Sequence, residues 1–290
     1  MRNPAHTPFG AIFQTEVLLN SKRAAPFVML ALFGFNAWLW TVKGPAMHNG
    51  WAMNSDHFII RNFMGFSFLT LPLFTALIMG DPVGRDFRTG MAPLIFSKPV
   101  SRATYLLGKF SGNFFVLVCC QSAFALMMLL LQAFPSAEMM VQPVRVFPYF
   151  KHFFFFVVVS QLALAAIHFT VGTLTRNPKI VYGLAVFFYP LLAAYQILFL
   201  KTLPPRWRGA LDPLLMNWAG DRTRLPGGGY IKAELINQLA YSYDADAMAN
   251  RALMALIAAA CLTILYVRFS MVERAGQYEE NKHLVLSFAG

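Results

Sequence analysis

Six long apolar stretches constrain this chain more than any other feature of its sequence. A helix needs about 20 mostly apolar residues to cross the hydrocarbon core of a bilayer. The stretches that reach or approach this length are Ala24–Val42, Phe58–Met79, Phe110–Phe134, Phe153–Leu174, Ile180–Leu200 and Ala252–Val267. We therefore predict an all-α integral membrane protein with about six transmembrane helices.

Composition agrees with a membrane environment. Of the 290 residues 57% are hydrophobic and 13% are charged, whereas soluble domains carry about 25% charged residues. The net charge of +11 raises the question of nucleic acid, but the basic residues lie at the ends of the apolar stretches and form no stripe. Lys and Arg at such positions reach lipid phosphate groups. We expect membrane lipid, and no nucleic acid, among the partners.

The short loops indicate an orientation, because Lys and Arg concentrate in cytoplasmic loops. One side collects most of them, including Arg85, Arg88, Lys98, Arg102, Lys109, Arg176 and Lys179. The short loops of the other side carry Lys43, Arg145 and Lys151. We predict a multi-pass protein of the bacterial plasma (inner) membrane with both termini in the cytoplasm.

This orientation divides the chain into three regions. Residues 1–23 precede the first span, residues 24–272 form the six-helix domain, and residues 273–290 form a cytoplasmic tail. Within the domain, residues 80–102 are a cytoplasmic loop and residues 201–250 an outer segment. The last predicted span is short, and we expect Arg251 and Arg268, which flank it, to reach the two membrane interfaces.

The N-terminal region predicts a helix of its own. Thr7-Pro8 is a typical helix start, with a capping hydroxyl followed by proline in the first turn. Apolar residues then recur on one face, at Phe9, Ile12, Phe13 and Val17. This spacing favours a short amphipathic helix on the cytoplasmic interface. The alternative is a helix that continues toward the first span.

The cytoplasmic loop has an amphipathic pattern that a simple connection between two spans would not require. Asp81-Pro82 predicts a helix start with Asp81 at the N-cap, and Pro93 and Pro99 are expected to end or bend the helix. An apolar stripe with helical spacing consists of Val83, Phe87, Met91 and Leu94, and the charges of Arg85, Asp86 and Arg88 project elsewhere. We therefore predict a short amphipathic helix, with its polar face turned to the cytoplasm, that forms a docking surface.

A search for catalytic or cofactor chemistry finds weak signals. The glycine cluster at 227–229 lacks the Lys-Ser/Thr of a phosphate-binding loop, so we expect no nucleotide hydrolysis by this chain. His48 and His57, with the nearby Met47, Met53 and Asp56, have the ligand types that suit copper, but ligand type without geometry is a weak signal and we predict no metal site. No carboxylate lies inside the six predicted stretches, which argues against a proton-coupled carrier.

The cytoplasmic loop and the end of the chain share residue patterns with a known family of membrane proteins. The segment with Asp81 and Arg85-Asp86-Phe87-Arg88-Thr89-Gly90, followed by Leu94–Arg102 and Tyr105–Phe110, resembles the permease subunits of type-2 ABC exporters. The end of the chain is also similar, at Asn250–Leu253 and Tyr266–Phe269. One departure is Asp86, where glutamate is commoner in the family.

The resemblance implies a half-transporter that exports a substrate. It implies a second permease subunit, identical or related, and cytoplasmic ATP-binding subunits that bind the ATP and Mg²⁺. The loop would then be a coupling helix, with Asp81, Arg85, Asp86, Phe87 and Arg88 near the ATPase contact. The N-terminal helix would match the family's interfacial connecting helix. Two alternatives remain open: a membrane-embedded lipid-modifying enzyme, and a membrane anchor or assembly factor without transport.

Overall fold

The computed structural model describes residues 7–43, 49–132, 140–225 and 228–271. The helices of the first half are α1 (Pro8–Ser21), α2 (Ala24–Lys43), α3 (Asp56–Met79), α4 (Pro82–Arg88), α5 (Ala92–Phe96) and α6 (Arg102–Leu131). Those of the second half are α7 (Val146–His152), α8 (Val159–Thr175), α9 (Pro178–Ala194), α10 (Pro205–Leu211), α11 (Met216–Asp221), α12 (Ala233–Ile236) and α13 (Ala245–Arg268). β structure in the described ranges is limited to two isolated bridges.

Six helical stretches are long and apolar enough to cross a membrane. They are Ala24–Lys43, Asp56–Arg88, Arg102–Leu131, Val146–Thr175, Pro178–Thr202 and Ala245–Arg268. Each overlaps one of the six predicted segments, so the predicted all-helical class, with six helices long and apolar enough to span a membrane, is confirmed. This is the makeup of a multi-pass membrane protein.

Side-chain caps start several of these helices. The Thr7 hydroxyl accepts a hydrogen bond from Gly10 N at 3.1 Å, as the sequence predicts. Ser101 does the same for Thr104 N at 3.1 Å at the start of α6. Such caps satisfy backbone N–H groups that have no partner within the helix. Helix α6 therefore begins eight residues before the apolar stretch Phe110–Phe134 that predicted it.

Helices α1 and α2 both run parallel to α6. A Cβ at Gly108 would lie 2.9 Å from the Ile12 side chain, and the Cys120 thiol lies 3.8 Å from the Pro26 carbonyl oxygen. Both pairs have nearly the same offset in sequence, so the break between α1 and α2 does not reverse the path. This packing favours the alternative in which α1 leads toward the first span. Its position relative to a lipid surface stays a prediction.

Polar side chains inside the bundle connect helices. Gln121 of α6 donates to the side-chain amide oxygen of Gln161 at 2.5 Å, and the amide nitrogen of Gln161, on α8, donates to the Thr75 hydroxyl of α3 at 2.6 Å. All three side chains are buried. Interhelical hydrogen bonds of this kind stabilise helix packing where no water competes.

Two features of the second half differ from the sequence expectation. A π-helical segment, Phe153–Val158, joins α7 to α8 within the fourth span. Helix α13 begins at Ala245, so Arg251 lies in its second turn and is buried. The expectation that Arg251 reaches a membrane interface is wrong, because its guanidinium donates to the Phe155 carbonyl and the Ser160 hydroxyl.

Candidate functional site

A buried cluster of four charges joins α1, α4 and α6. Lys109 Nζ lies 2.6 Å from Glu16 Oε1 and 2.7 Å from Asp86 Oδ2. Arg85 Nη2 lies 2.7 Å from Glu16 Oε1, and Arg85 Nε lies 3.9 Å from Asp86 Oδ1. We call Glu16, Arg85, Asp86 and Lys109 the ion cluster. Its two cations balance its two carboxylates, which is the condition under which buried charges are tolerated.

Neutral donors complete the hydrogen bonding around the ion cluster. The Tyr105 hydroxyl donates to Asp86 Oδ2 at 2.8 Å, and Asn113 Nδ2 donates to Glu16 Oε2 at 2.9 Å. Lys109 also donates to the Pro82 carbonyl at 3.0 Å. Because the carboxylates have several donors each, removal of one partner leaves a buried charge partly unsatisfied.

The electrostatics of Glu16 reflect this setting. Burial by itself raises the pKa of a carboxyl group, but the Lys109 ammonium and the Arg85 guanidinium outweigh burial. They hold the pKa of Glu16 below its ordinary value of 4.5. Glu16 is therefore ionised at neutral pH and provides the negative charge that joins α1 to the other two helices.

Glycine in α6 permits this close approach. A Cβ at Gly112 would lie 2.8 Å from the Glu16 Cβ and 2.9 Å from the Phe13 carbonyl oxygen. Real side chains do not come so close, so the site requires a residue without a Cβ. Gly108, one turn earlier, meets Ile12 in the same way. Small residues at this spacing let helix backbones approach closely in membrane bundles.

The ion cluster lies at one end of the bundle. Helix α6 has 30 residues, about 45 Å at 1.5 Å per residue, and the hydrocarbon core is about 30 Å thick. Roughly 15 Å of α6 therefore extends beyond the hydrocarbon. Residues Tyr105, Lys109 and Asn113 lie in its first turns, which suits charged side chains that need neighbouring polar groups.

Helices α4 and α5 are held on two further sides. The Arg176 guanidinium carbon lies 3.7 Å from the centroid of the Phe87 ring, a cation–π contact between α4 and the corner after α8. Phe96 of α5 makes an edge contact with Tyr105 at 5.4 Å and with Phe269 at 6.5 Å between ring centroids. The loop between the second and third spans is thus attached to four parts of the bundle.

The structure places the five predicted site residues in different surroundings. Arg85 and Asp86 point inward to the ion cluster, so the expectation of an outward polar face is wrong for both residues, whose side chains are 12% and 8% exposed. Asp81 precedes the helix as predicted but does not cap it, because its carboxylate accepts from Arg88 Nη1 at 2.7 Å. Phe87 is half-buried under Arg176.

An exposed face remains on the outer side of α4 and α5. Met91 is 47% exposed and Leu94 is 61% exposed, and Arg88 and Lys98 flank them at the surface. We call Arg88, Met91, Leu94 and Lys98 the loop face. It combines two large apolar side chains with two basic ones at the same end of the bundle as the ion cluster.

Sequence reasoning missed Glu16, Tyr105, Lys109 and Asn113 as site residues. One signal for them exists: Tyr105, Lys109 and Asn113 recur every four residues and so share one face of α6. Glu16 is a single carboxylate within an apolar helix, which indicates a buried partner. Neither signal identifies the residues of α4 that complete the cluster.

The possible copper ligands do not form a site within the described residues. His48 and Met47 lie outside those residues. His57 Nδ1 is 2.9 Å from the Tyr241 hydroxyl, and Asp56 is bound by Arg145 at 3.1 Å and by Tyr241 N at 3.0 Å. Across the described ranges, no three His, Cys, Asp or Glu side chains are close enough to share a metal ion.

Comparison with known proteins assigns no family. No protein-family model matches the chain, and no curated protein matches it. The fold and the site thus define a class, a multi-pass helical membrane protein with a braced loop at one end of the bundle.

Proposed function

We propose that this chain is the transmembrane permease subunit of an ATP-binding cassette transporter, driven by a separate ATPase. The observation that carries the proposal is the pairing of the loop face with the ion cluster. An exposed apolar and basic surface lies on one side of α4 and α5, and a buried set of ion pairs fixes their other side to the bundle.

This arrangement suits the transfer of movement from a partner. A free loop would absorb a displacement, but α4 is tied to α1 through Glu16, to α6 through Lys109 and to the corner after α8 through Arg176. A partner that displaces α4 therefore acts on several spans at once. Packed elements with charge contacts move as units because a lost buried pair is costly.

The proposal assigns two roles to the coupling residues. Arg85 and Asp86 connect α4 to the spans, and Phe87 holds the contact to Arg176. Arg88, with Asp81 beside it, borders the surface that the partner meets. ATP and Mg²⁺ would be bound by the partner, a cytoplasmic ATP-binding subunit. A second permease subunit would complete the export path, and the loop face and both termini would be cytoplasmic at a bacterial inner membrane.

The test is recovery of an ATPase on the tagged chain from mild detergent extracts. Wild type is compared with Met91→Asp/Leu94→Asp, which places charge on the loop face. The matched control is Met140→Asp/Leu235→Asp, because Met140 and Leu235 are likewise exposed and lie outside the six membrane-crossing helices. Loss of a central interface anchor costs about 2 kcal/mol or more, about a thirtyfold loss in affinity.

The expected result is an ATP-binding protein, with ATPase activity, recovered with wild type and the control but reduced with the loop-face variant. Wild type that retains no ATP-binding partner under several mild conditions would contradict the transporter proposal. Equal recovery with the loop-face variant would contradict the role of Met91 and Leu94.

A further inference from the structure

A cavity of about 720 Å³ lies at the end of the bundle opposite to the loop face. Its walls come from the start of α3, the end of α9 and the segment from α11 to α12. Binding sites for small ligands have volumes of about 300–1,000 Å³. The cavity is therefore large enough for a ligand of that size, and its lining indicates which chemistry it accepts.

One side of the cavity is positively charged. Arg61 and Arg224 line it together with Asp221. The Asp221 carboxylate is already neutralised, since Arg208 lies 2.8 Å and Arg224 lies 3.8 Å from it. Arg61 is different: within the described ranges no carboxylate lies within 4 Å of its guanidinium, and the Trp51 ring lies 5.6 Å from its guanidinium carbon.

The position of Arg61 within a membrane-crossing helix explains why it matters that no carboxylate among the described residues pairs with it. It lies five residues after the start of α3 at Asp56, roughly 7–8 Å along the helix axis. Charged side chains inside membrane-crossing helices pair with another group or face a functional cavity. Arg61 lines the cavity, and its guanidinium carbon lies over the Trp51 ring at 5.6 Å from the centroid.

The remaining wall along α3 is apolar. Met64 and Phe68 follow Arg61 on the same helix face, one and two turns further on, and Leu192 of α9 lies opposite. Phe68 is exposed at 36%, whereas Met64 and Leu192 line the cavity with only 2% and 4% of their surface exposed. The cavity thus changes from cationic to apolar along α3, in the order expected for a molecule with a charged head and an apolar body.

We propose that this cavity binds an anionic amphiphile. Its phosphate, sulfate or carboxylate group would pair with Arg61, and its apolar body would lie along Met64, Phe68 and Leu192. Planar N–H donors of arginine match such oxyanions in two hydrogen bonds at once. The binding site does not depend on transport or on an ATPase, so it stands or falls separately from the proposed function.

Binding is measured with the full-length purified chain in a neutral maltoside detergent, by calorimetric titration with dodecyl phosphate. The variants are Arg61→Gln and Arg61→Lys. The matched control is Arg206→Gln, an exposed arginine paired with Asp246 outside the cavity. Arg61 is itself exposed, so its substitution leaves the packing intact, and a monodisperse elution profile verifies this.

We expect saturable binding of dodecyl phosphate to wild type and to Arg206→Gln. Arg61→Gln should bind at least about tenfold more weakly, since a hydrogen bond to a charged group contributes about 1.5–3 kcal/mol. Arg61→Lys should retain part of the affinity through its charge. Butyl phosphate should bind more weakly than dodecyl phosphate, and inorganic phosphate weakest, because the apolar wall contributes in proportion to chain length.

Competition identifies the source of the natural ligand. Displacement of dodecyl phosphate by phosphatidylglycerol and not by phosphatidylcholine would assign the site to an anionic membrane lipid. Displacement by neither would assign it to a single-chain or non-lipid amphiphile. The proposal is overturned by absence of saturable binding to wild type, by equal affinity in Arg61→Gln, or by equal binding of a neutral dodecyl compound.

Discussion

Neutralisation of Glu16 tests whether the ion cluster holds α1 against the rest of the bundle. Glu16→Gln keeps the shape of the side chain but removes one of two negative charges that face Arg85 and Lys109. Lys109 keeps Asp86 at 2.7 Å, whereas Arg85 keeps only a 3.9 Å contact. The cluster changes from neutral to a net charge of +1 in a site where the Lys109 side chain is 3% exposed.

The expected cost follows from that uncompensated charge. Removal of one partner from a buried ion pair costs about 3–5 kcal/mol. At about 2–4 °C per kcal/mol, the apparent melting temperature in detergent should fall on the order of 10 °C. Fluorescence-detected size-exclusion after heating measures this value. Glu16→Gln/Lys109→Met restores charge balance and should recover part of the loss.

Arg88→Gln is the matched control, since it breaks a surface ion pair on α4, the helix that supplies Arg85 and Asp86 to the ion cluster. Its side chain is 50% exposed, and exposed pairs contribute about 0–1 kcal/mol. Its melting temperature should therefore stay close to wild type. The reasoning is refuted if Glu16→Gln is as stable as Arg88→Gln, or if the charge-balanced double variant is no more stable than Glu16→Gln.

Three further predictions concern the ion cluster, the glycine contact beside it and a separate contact between α13 and α10. The pKa of Glu16 is held below 4.5. The stability that the Glu16 carboxylate contributes should therefore be constant above that pH and be lost as the pH falls through the folded-state pKa. The difference in melting temperature between wild type and Glu16→Gln, measured from pH 7 to pH 3, should shrink accordingly. Gly112→Ala should cost about 1–3 kcal/mol by overpacking, and Gly183→Ala, where a Cβ meets nothing within 4 Å, should not lower the melting temperature. Asn250→Leu removes the donor to three backbone carbonyls, so at about 1–3 kcal/mol hydrogen exchange in α10 should rise, and unchanged exchange would contradict this role.

The sequence predicts the six spans because length and apolarity are local properties of each stretch. It predicts the helix start at Thr7 for the same reason, since a cap acts within one turn. The ion cluster is different, because Glu16 meets Arg85 and Lys109 across separations of 69 and 93 residues. Helical spacing shows which residues share a face but does not show what that face meets.

Arg251 is a second case in which the sequence does not show which groups a side chain contacts. In the sequence it precedes a short apolar run, and the general preference of arginine for interfaces indicates an exposed side chain. In the structure, the first residues of α13, from Ala245 to Asn250, lie before it, and its guanidinium donates to a carbonyl and a hydroxyl oxygen of the fourth span. Its burial depends on acceptors supplied by a segment about 95 positions earlier in the chain.

The π-helical segment 153–158 has a consequence for how the fourth span meets its neighbours. A π turn accommodates an additional residue, so the side chains before it are rotated by about 100° relative to a continuous α-helix. Tyr149 and His152, before the segment, reach Asn54 and Tyr243. Gln161, after it, reaches toward α3 and α6. The two parts of this span therefore face their neighbours at different angles, and a single helical wheel drawn over its whole length assigns the residues on one side of the π segment to the wrong face.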